Sequence, residues 1–539
     1  MKFLAVSAAV AALASVASAN TPFDAHHKAP TAPIEARQFH SFPKNWRPKF
    51  PPLPRLPWHK RPGHGPRSKP LVRSDKLQST IKAKNLLEHA ENLQAIAYAT
   101  TARNRVFGSP GHNFTALYIY ELLSELDEYY TVSYQPFVEL WSGGGADVIV
   151  EGTELTSVSM FTYSPNGEVE APIVQVANLG CEAADYPAEV EGAIALISRG
   201  TCEFGLKTAL AGSAGAVGAI IYNNVEGPIA GGTLATPTRP EGPYPPVAGI
   251  SGTEGAAIIE QLAAGPVSAI LDVEALSENR TTMNVIAQTK GGDQNNVIMV
   301  GAHADSVNAG PGINDDGSGT VGILEVALQL AKFKTKNAVR FGFWSAEEFG
   351  LLGSEYYVSQ LSEAEKDKIR LYLNFDMIAS PNYIYSIYDG DGDAFNITGP
   401  PGSAEAEAHF EAFYESKRLP HQPTAFDGRS DYGPFLDAGI AAGGIFTGAE
   451  QVKTEEEAAL YGGEAGVAYD INYHQAGDTV DNLNMDAFVT NTKAIADSVA
   501  FYGRSFSSLP AKAKRVKRSV PLVVGRHAGC HHEHVDLAV

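Results

Sequence analysis

Val297-Ile298-Met299-Val300-Gly301-Ala302-His303-Ala304-Asp305, then Asn314-Asp315-Asp316-Gly317-Ser318-Gly319 and the run on to Phe333, is the stretch that decides the fold. Val297 to Ala302 is a short, nearly continuous apolar run, the pattern of a strand buried on both faces. Gly319 to Phe333 reads as a helix with Leu324, Leu328 and Ala331 on one side. Two more buried-strand runs follow, Val339 to Trp344 and Leu371 to Phe375. Strands alternating with helices imply an α/β protein, three α/β/α layers around a mixed, mostly parallel sheet. In such sheets the ligand site lies beyond the carboxyl ends of the strands. His303, Glu347, Glu348 and Asp376 all fall where one of these strands ends.

The residue types at those ends point to metal chemistry. His303 and Asp305 are two apart, so in an extended segment both face one side, and one can bind a metal while the other orients it. Gly310, Gly312, Gly317 and Gly319 give the following turn the freedom to aim Asp315 inward. Glu347-Glu348 follows an apolar strand, where two acids are costly to bury uncompensated. Neighbouring side chains point to different sides, so one can hold a metal while the other exchanges a proton with water. The same pair can instead cap a helix. Asp376 and, in a loop-like stretch, His474 complete a set suited to two zinc ions sharing one carboxylate.

The rest of the chain frames this centre. Its 539 residues imply two domains plus processed ends. Residues 1–19 carry Lys2, an apolar core and Ala17-Ser18-Ala19, fitting a secretory signal. Residues 20–74, with no Asp or Glu from Gln38 to Ser74 and recurrent Pro, Lys and Arg, read as a propeptide. Helical spacing begins near Asp75, and a second helix follows Gly111. A first catalytic segment, 75–141, is thus followed by a Gly-, Ala- and Val-rich stretch, 142–275, with short apolar runs and no ligand cluster, read as an inserted non-catalytic domain. The catalytic pattern resumes over 276–508, and 509–539 reads as a basic, His-containing tail.

Composition narrows the surroundings. The net charge of −20 disfavours nucleic acid, whose phosphates attract Lys and Arg clusters. After the signal no stretch approaches the roughly 20 apolar residues of a spanning helix, so no membrane association is expected. Secretion, or alternatively delivery to the vacuolar lumen, would favour a Cys181–Cys202 bridge, with Cys530 left over, and glycosylation of sequons at Asn113, Asn279 and Asn396. Asp389-Gly390-Asp391-Gly392-Asp393 lacks the Gly and Glu of a calcium loop and is read as a turn. His531-His532-Glu533-His534 is read as a bystander in the tail. There is no Gly-x-Ser-x-Gly elbow and no His-Glu-x-x-His, which removes the serine esterases and helix-borne zinc sites.

Val300-Gly301-Ala302-His303-Ala304-Asp305-Ser306, Asn314 to Gly319, Ser345-Ala346-Glu347-Glu348-Phe349-Gly350, Asn374-Phe375-Asp376-Met377 and Tyr473-His474 strongly resemble the motifs of the M28 family of di-zinc aminopeptidases, including its secreted fungal leucine aminopeptidases. Residues 142–275, with Asn178-Leu179-Gly180-Cys181 and Ser198-Arg199-Gly200-Thr201-Cys202, resemble a protease-associated domain. The resemblance implies that His303 and Asp376 hold one zinc, Glu348 and His474 the other, and that Asp315 bridges them. It further implies Glu347 as general base, Tyr473 as donor to the developing oxyanion, Asp305 as partner of His303, and Arg429 near the substrate. The expected activity is a monomeric aminopeptidase acting on peptides with a free N-terminus, favouring apolar residues such as Leu. Competing readings are a catalytically inert binding protein, a carboxypeptidase and a glutaminyl cyclase.

Overall fold

The computed structural model describes residues 69–224, 227–229 and 232–511. The signal, all but the last residues of the expected propeptide, the tail from residue 512, Cys530 and the His-rich terminus lie outside the described residues.

The three strands read from the sequence form the parallel centre of the catalytic sheet. Asp293–His303 lies between Asn337–Trp344 and Ile369–Phe375, parallel to both, and Ala442–Phe446 extends the parallel set. Ser386–Tyr388 adds antiparallel beside Ala442–Phe446, with Gln422–Thr424 parallel beyond it, and on the opposite flank Ser268–Thr289 runs antiparallel to Asn337–Trp344, making the sheet mixed. Continuous apolar runs put side chains on both faces, so both need covering. One face carries the helices Ala83–Tyr98, Gly317–Leu330, Ser403–Ser416 and Met485–Tyr502. On the other, Met299, Trp344 and Tyr372 pack with Tyr357, Val358 and Phe435 from Leu352–Gln360 and Gly433–Asp437.

Gly317–Leu330 is buried on every side, not along the single stripe of Leu324, Leu328 and Ala331. Sheet, N-terminal helix and C-terminal helix surround it, so even Glu325 and Gln329 are inside. Asp316 caps it by accepting from the Gly319 N–H at 2.8 Å. A Cβ on Gly319 would come within 1.9 Å of the Phe375 carbonyl oxygen, so glycine is needed for the helix to approach the strand that delivers Asp376.

The inserted region is built on a two-stranded ribbon. Tyr130–Val150 pairs antiparallel with Ser268–Thr289 from Tyr130↔Thr289 to Val150↔Ala269. Gly167–Gln175 joins the far part of Ser268–Thr289, and Ile194–Ser198, Gly218–Tyr222 and Val247–Ile250 follow in parallel. The expected divisions at 141/142 and 275/276 therefore fall inside continuous strands, at a point where exposed side chains such as Leu276 mark the change of texture but the backbone ladder does not break. Cys181 and Cys202 are disulfide-bonded, as expected, with Cα atoms 5.8 Å apart.

The start of the folded unit also differs from the sequence reading. Val72 is fully buried, its N–H donates to Lys334 O at 2.8 Å, and Lys334 N–H donates to Pro70 O at 2.9 Å. Residues 70–74 thus belong to the folded unit although their basic, acid-free composition matches the preceding segment. Among the sequons, Asn279 and Asn396 are exposed, whereas Asn113 sits in the helix Pro110–Ser124 with its Oδ1 buried.

Candidate active site

Three adjacent parallel strands deliver the first group of side chains at their carboxyl ends. His303 is the last residue of its strand, Asp376 directly follows Phe375, and Glu347-Glu348 comes just after Trp344. Asp315 arrives from the turn before Gly317–Leu330, and His474 from the loop ahead of Met485–Tyr502. Residues up to 171 positions apart (His474 minus His303) thereby meet in one buried cluster.

Asp315 is the pivot. Its Oδ1 is 3.2 Å from His303 Nε2, and its Oδ2 is 3.1 Å from His474 Nε2. Around His303 Nε2 stand Asp376 Oδ1 at 3.6 Å and Glu347 Oε2 at 3.8 Å, while Glu348 Oε2 is 2.9 Å from His474 Nε2. His303 Nδ1 faces Asp305 Oδ1 at 3.5 Å, and that oxygen accepts from the Glu347 N–H at 3.2 Å. The expected ligands and base are thus brought together, with Asp305 behind His303.

Backbone geometry is forced here. Ala346, Met377 and His474 have positive φ (60°, 46° and 56°), each beside or at one of these residues. Non-glycine residues in that region cost about 1–3 kcal/mol each and persist only where the surroundings overdetermine them.

The electrostatics explain how so many acids share one space. Burial alone would lower the His303 pKa, but Glu347 and Asp376, helped by Asp305 and Asp315, raise it well above its usual range. His474 behaves alike: burial opposes its charge, Glu348 and Asp315 outweigh that, and its pKa rises to about 10. Burial pushes Glu347 well up and Glu348 up. Burial would also raise Asp315, yet the two imidazoles hold it below the ordinary carboxylate range. Positive charge at the two imidazoles and negative charge at Asp315 thus favour one another.

A cation would fit the same role. His303 Nε2, Glu347 Oε1, Glu348 Oε1, Asp376 Oδ1 and His474 Nε2 are all buried without a hydrogen bond. Buried polar atoms are rarely left so, and a set of nitrogen and oxygen donors converging on shared points suits zinc. Two triads meet ligand spacing here, His303–Asp315–Glu348 and His303–Glu347–Asp376.

Beside the cluster opens a cleft of about 280 Å³, with Asp315, Glu347, Glu348 and Asp376 at one side and Met377, Ile384, Tyr388 and Phe446 among its apolar lining. Tyr473 and Arg429 also line it, and the Arg429 guanidinium donates to the Tyr473 hydroxyl at 3.4 Å and to Glu450 at 3.3 Å. The calcium-like segment is a turn: Asp389 accepts from the N–H groups of Gly392, Ala394 and Phe395. Asp389 and Asp391 nevertheless approach Glu407.

Several supporting residues lie outside the site residues read from the sequence, although Asp316 stands inside its Asn314–Gly319 motif. Arg105 is fully buried and donates to the carbonyls of Ala304, Pro311 and Gly312, pinning the loop that follows His303. Asp316 accepts from the N–H groups of His303 and Met377, at 3.0 and 3.1 Å. Ser430 donates to Asp376 Oδ2 at 2.6 Å, and beside it buried Asp431 has its pKa raised to about 7, mainly by burial. A lone Arg, Ser or Asp in a loop has no periodicity or pairing that would single it out.

The family model for peptidase family M28 matches residues 284–499, and that for the PA domain matches 169–258. Leucine aminopeptidase 2 of Arthroderma otae is 53% identical over 452 residues, covering 84% of this chain and 90% of its own. A probable leucine aminopeptidase 2 of Aspergillus fumigatus is 54% identical over 453 residues, with the same coverage, 84% and 90%. Among solved structures, an aminopeptidase from Aneurinibacillus sp. strain AM-1 aligns with TM-score 0.64 at 29% identity, covering 79% of this chain and 95% of that one. A zinc aminopeptidase from Bacillus subtilis aligns with TM-score 0.58 at 25% identity, covering 80% and 95%.

Proposed function

This chain belongs to peptidase family M28, and on that premise we propose that it is a secreted, two-zinc aminopeptidase that releases apolar N-terminal residues such as Leu from peptides. The observation that carries the reading is Asp315, whose two oxygens each face a different histidine. His303 and Asp376 would hold one zinc, His474 and Glu348 the other, with Asp315 between them. When bound, such ions acidify water and polarise the scissile carbonyl.

The chain's own residues do the rest. Glu347 is buried beside the ligands, and its Oε1 is free of hydrogen bonds, so it can take the proton of the attacking water and return it to the leaving amine. Burial favours the protonated carboxyl, which helps the second step, while His303 pulls the other way and favours the ionised base. The Tyr473 hydroxyl, steadied by Arg429, donates to the oxygen that gains charge. Arg429 thus acts through Tyr473 as well as facing the cleft. Asp305 fixes the His303 ring and the Glu347 backbone together. Ile384, Tyr388 and Phe446 give the cleft an apolar wall that would reward burial of a Leu-like side chain.

For localisation, the described helices include none long and apolar enough to cross a membrane. Signal removal after residue 19 and propeptide cleavage form part of the proposal, with the cut ahead of Pro70, because Val72 is buried in the folded unit. Glycosylation is proposed at the exposed Asn279 and Asn396. The purified protein should hydrolyse Leu-p-nitroanilide, lose activity to a chelator and regain it with zinc. Release of residues from the C-terminus of a short peptide, or ring closure without shortening, would contradict the reading.

A further inference from the structure

The loop that carries His474 and the turn that carries Asp315 are joined through buried carboxylates outside the proposed ligand set, and one of them holds the backbone of the turn directly. Asp478, 2% exposed, accepts from the Asn314 N–H through Oδ1 at 2.7 Å and from the Asp315 N–H through Oδ2 at 3.0 Å. Its own backbone carbonyl accepts from the Ile313 N–H at 3.1 Å, and its N–H donates to Gln475 O at 3.1 Å, inside the His474 loop. Asn482 holds it from behind, donating to Asp478 Oδ1 at 3.3 Å and to both oxygens of Asp470 at 2.9 Å. Asp470 in turn accepts from Asn314 Nδ2 at 2.7 Å.

These contacts divide the labour around Asp315. Asp316 fastens the turn to the backbones of His303 and Met377, on the His303–Asp376 side. Asp478 fastens it to the His474 loop, on the other side. A carboxylate that accepts from two consecutive N–H groups fixes a peptide plane more firmly than a single bond, because both position and tilt are set.

We infer that Asp478 is a positioning residue that sets the spacing between Asp315 and His474 and thereby the affinity of the site those two form with Glu348. This rests on the two-zinc reading, and its test separates the two. Partners that orient metal ligands are worth about 10- to 100-fold in metal affinity. Asp478→Asn keeps the volume but turns an amide N–H toward one of the two backbone N–H groups, so the clamp opens on one side.

The experiment is competitive zinc titration of the full-length protein against a chromophoric chelator, wild type beside Asp478→Asn and the milder Asn482→Ala. Wild type should bind two zinc ions in separable steps. A wild type that binds none, or one, would sink the two-zinc reading itself. With two bound in the wild type, Asp478→Asn should weaken one step by about 10- to 100-fold, leave the other within a few-fold, and recover most of its turnover at saturating zinc. Asn482→Ala should move the same step by a smaller factor, and it decides the matter if Asp478→Asn shows no cooperative melt. Equal weakening of both steps, unchanged affinities, or turnover that stays low with both ions bound would overturn the assignment.

Discussion

Replacing Arg105 with Met tests how the site is held from below. Arg105 is fully buried, and its guanidinium donates to the carbonyls of Ala304, Pro311 and Gly312. Gly312 O also accepts from the Gly317 N–H at 3.0 Å and would keep that partner. For the Ala304 and Pro311 carbonyls the guanidinium is the donor found, and each buried carbonyl stripped of its donor costs about 1–3 kcal/mol. The charge matters too: burial depresses the Arg105 pKa, and Asp305, Asp478, Asp316 and Asp315 act together to oppose that. Methionine fills the space but removes this counter-charge, and breaking a buried ionic contact typically costs about 3–5 kcal/mol. The two estimates overlap, so Arg105→Met should lose about 3–5 kcal/mol. Urea unfolding followed by tryptophan fluorescence, with fully buried Trp344 as an internal reporter, measures this as a lower midpoint at unchanged slope. A loss below about 1 kcal/mol would refute the reasoning, since it would mean that those carbonyls find other partners.

Three further outcomes follow from the same geometry. Glu347→Gln should lower kcat by about 100- to 10,000-fold with zinc content unchanged, checked by turnover and metal analysis of one preparation; near-normal turnover would remove Glu347 as the base. Zinc affinity should fall as pH falls, because the carboxylates that lift His474 to about 10 strengthen the proton that competes with the ion, and a chelator titration that is flat from pH 8 to pH 6 would contradict this. Burial raises Glu407 to about 7, so the folded state holds its proton more tightly than the unfolded chain; the stability this gives is complete below about pH 4.5 and is lost as pH rises through about 7. Glu407→Gln keeps an acceptor for the Gly390 and Asp391 N–H groups and should therefore gain stability over wild type at pH 8 relative to pH 4.5, read from unfolding midpoints.

The sequence made the centre of the fold legible because its signals there are local. Val297 to Ala302 and Val339 to Trp344 are too apolar to lie anywhere but inside, and acids directly after such runs must be compensated. The motif likeness then gave those acids their expected roles as ligands, and the structure brings His303 and His474 to the two oxygens of Asp315. What stayed hidden is what depends on distant chain. Arg105 donates to carbonyls 199 to 207 residues away, and no spacing rule encodes that. Residues 70–74 look like the basic segment before them, and their ties to the catalytic unit, the β-bridge between Leu71 and Lys334 and the bond from Arg504 to the Val72 carbonyl, come from distant chain. The ribbon Tyr130–Val150 with Ser268–Thr289 changes composition midway while its hydrogen bonding continues, so the change of texture at 142 and 275 has no counterpart in the backbone ladder.

In the proposed site two cations share Asp315. Crystals of the zinc-loaded protein, with anomalous scattering recorded on both sides of the zinc edge, test it most directly. Two peaks are expected about 3.5–4 Å apart, one beside His303 and Asp376, the other beside His474 and Glu348, with one Asp315 oxygen on each. A single peak, or two peaks that Asp315 does not bridge, would contradict it.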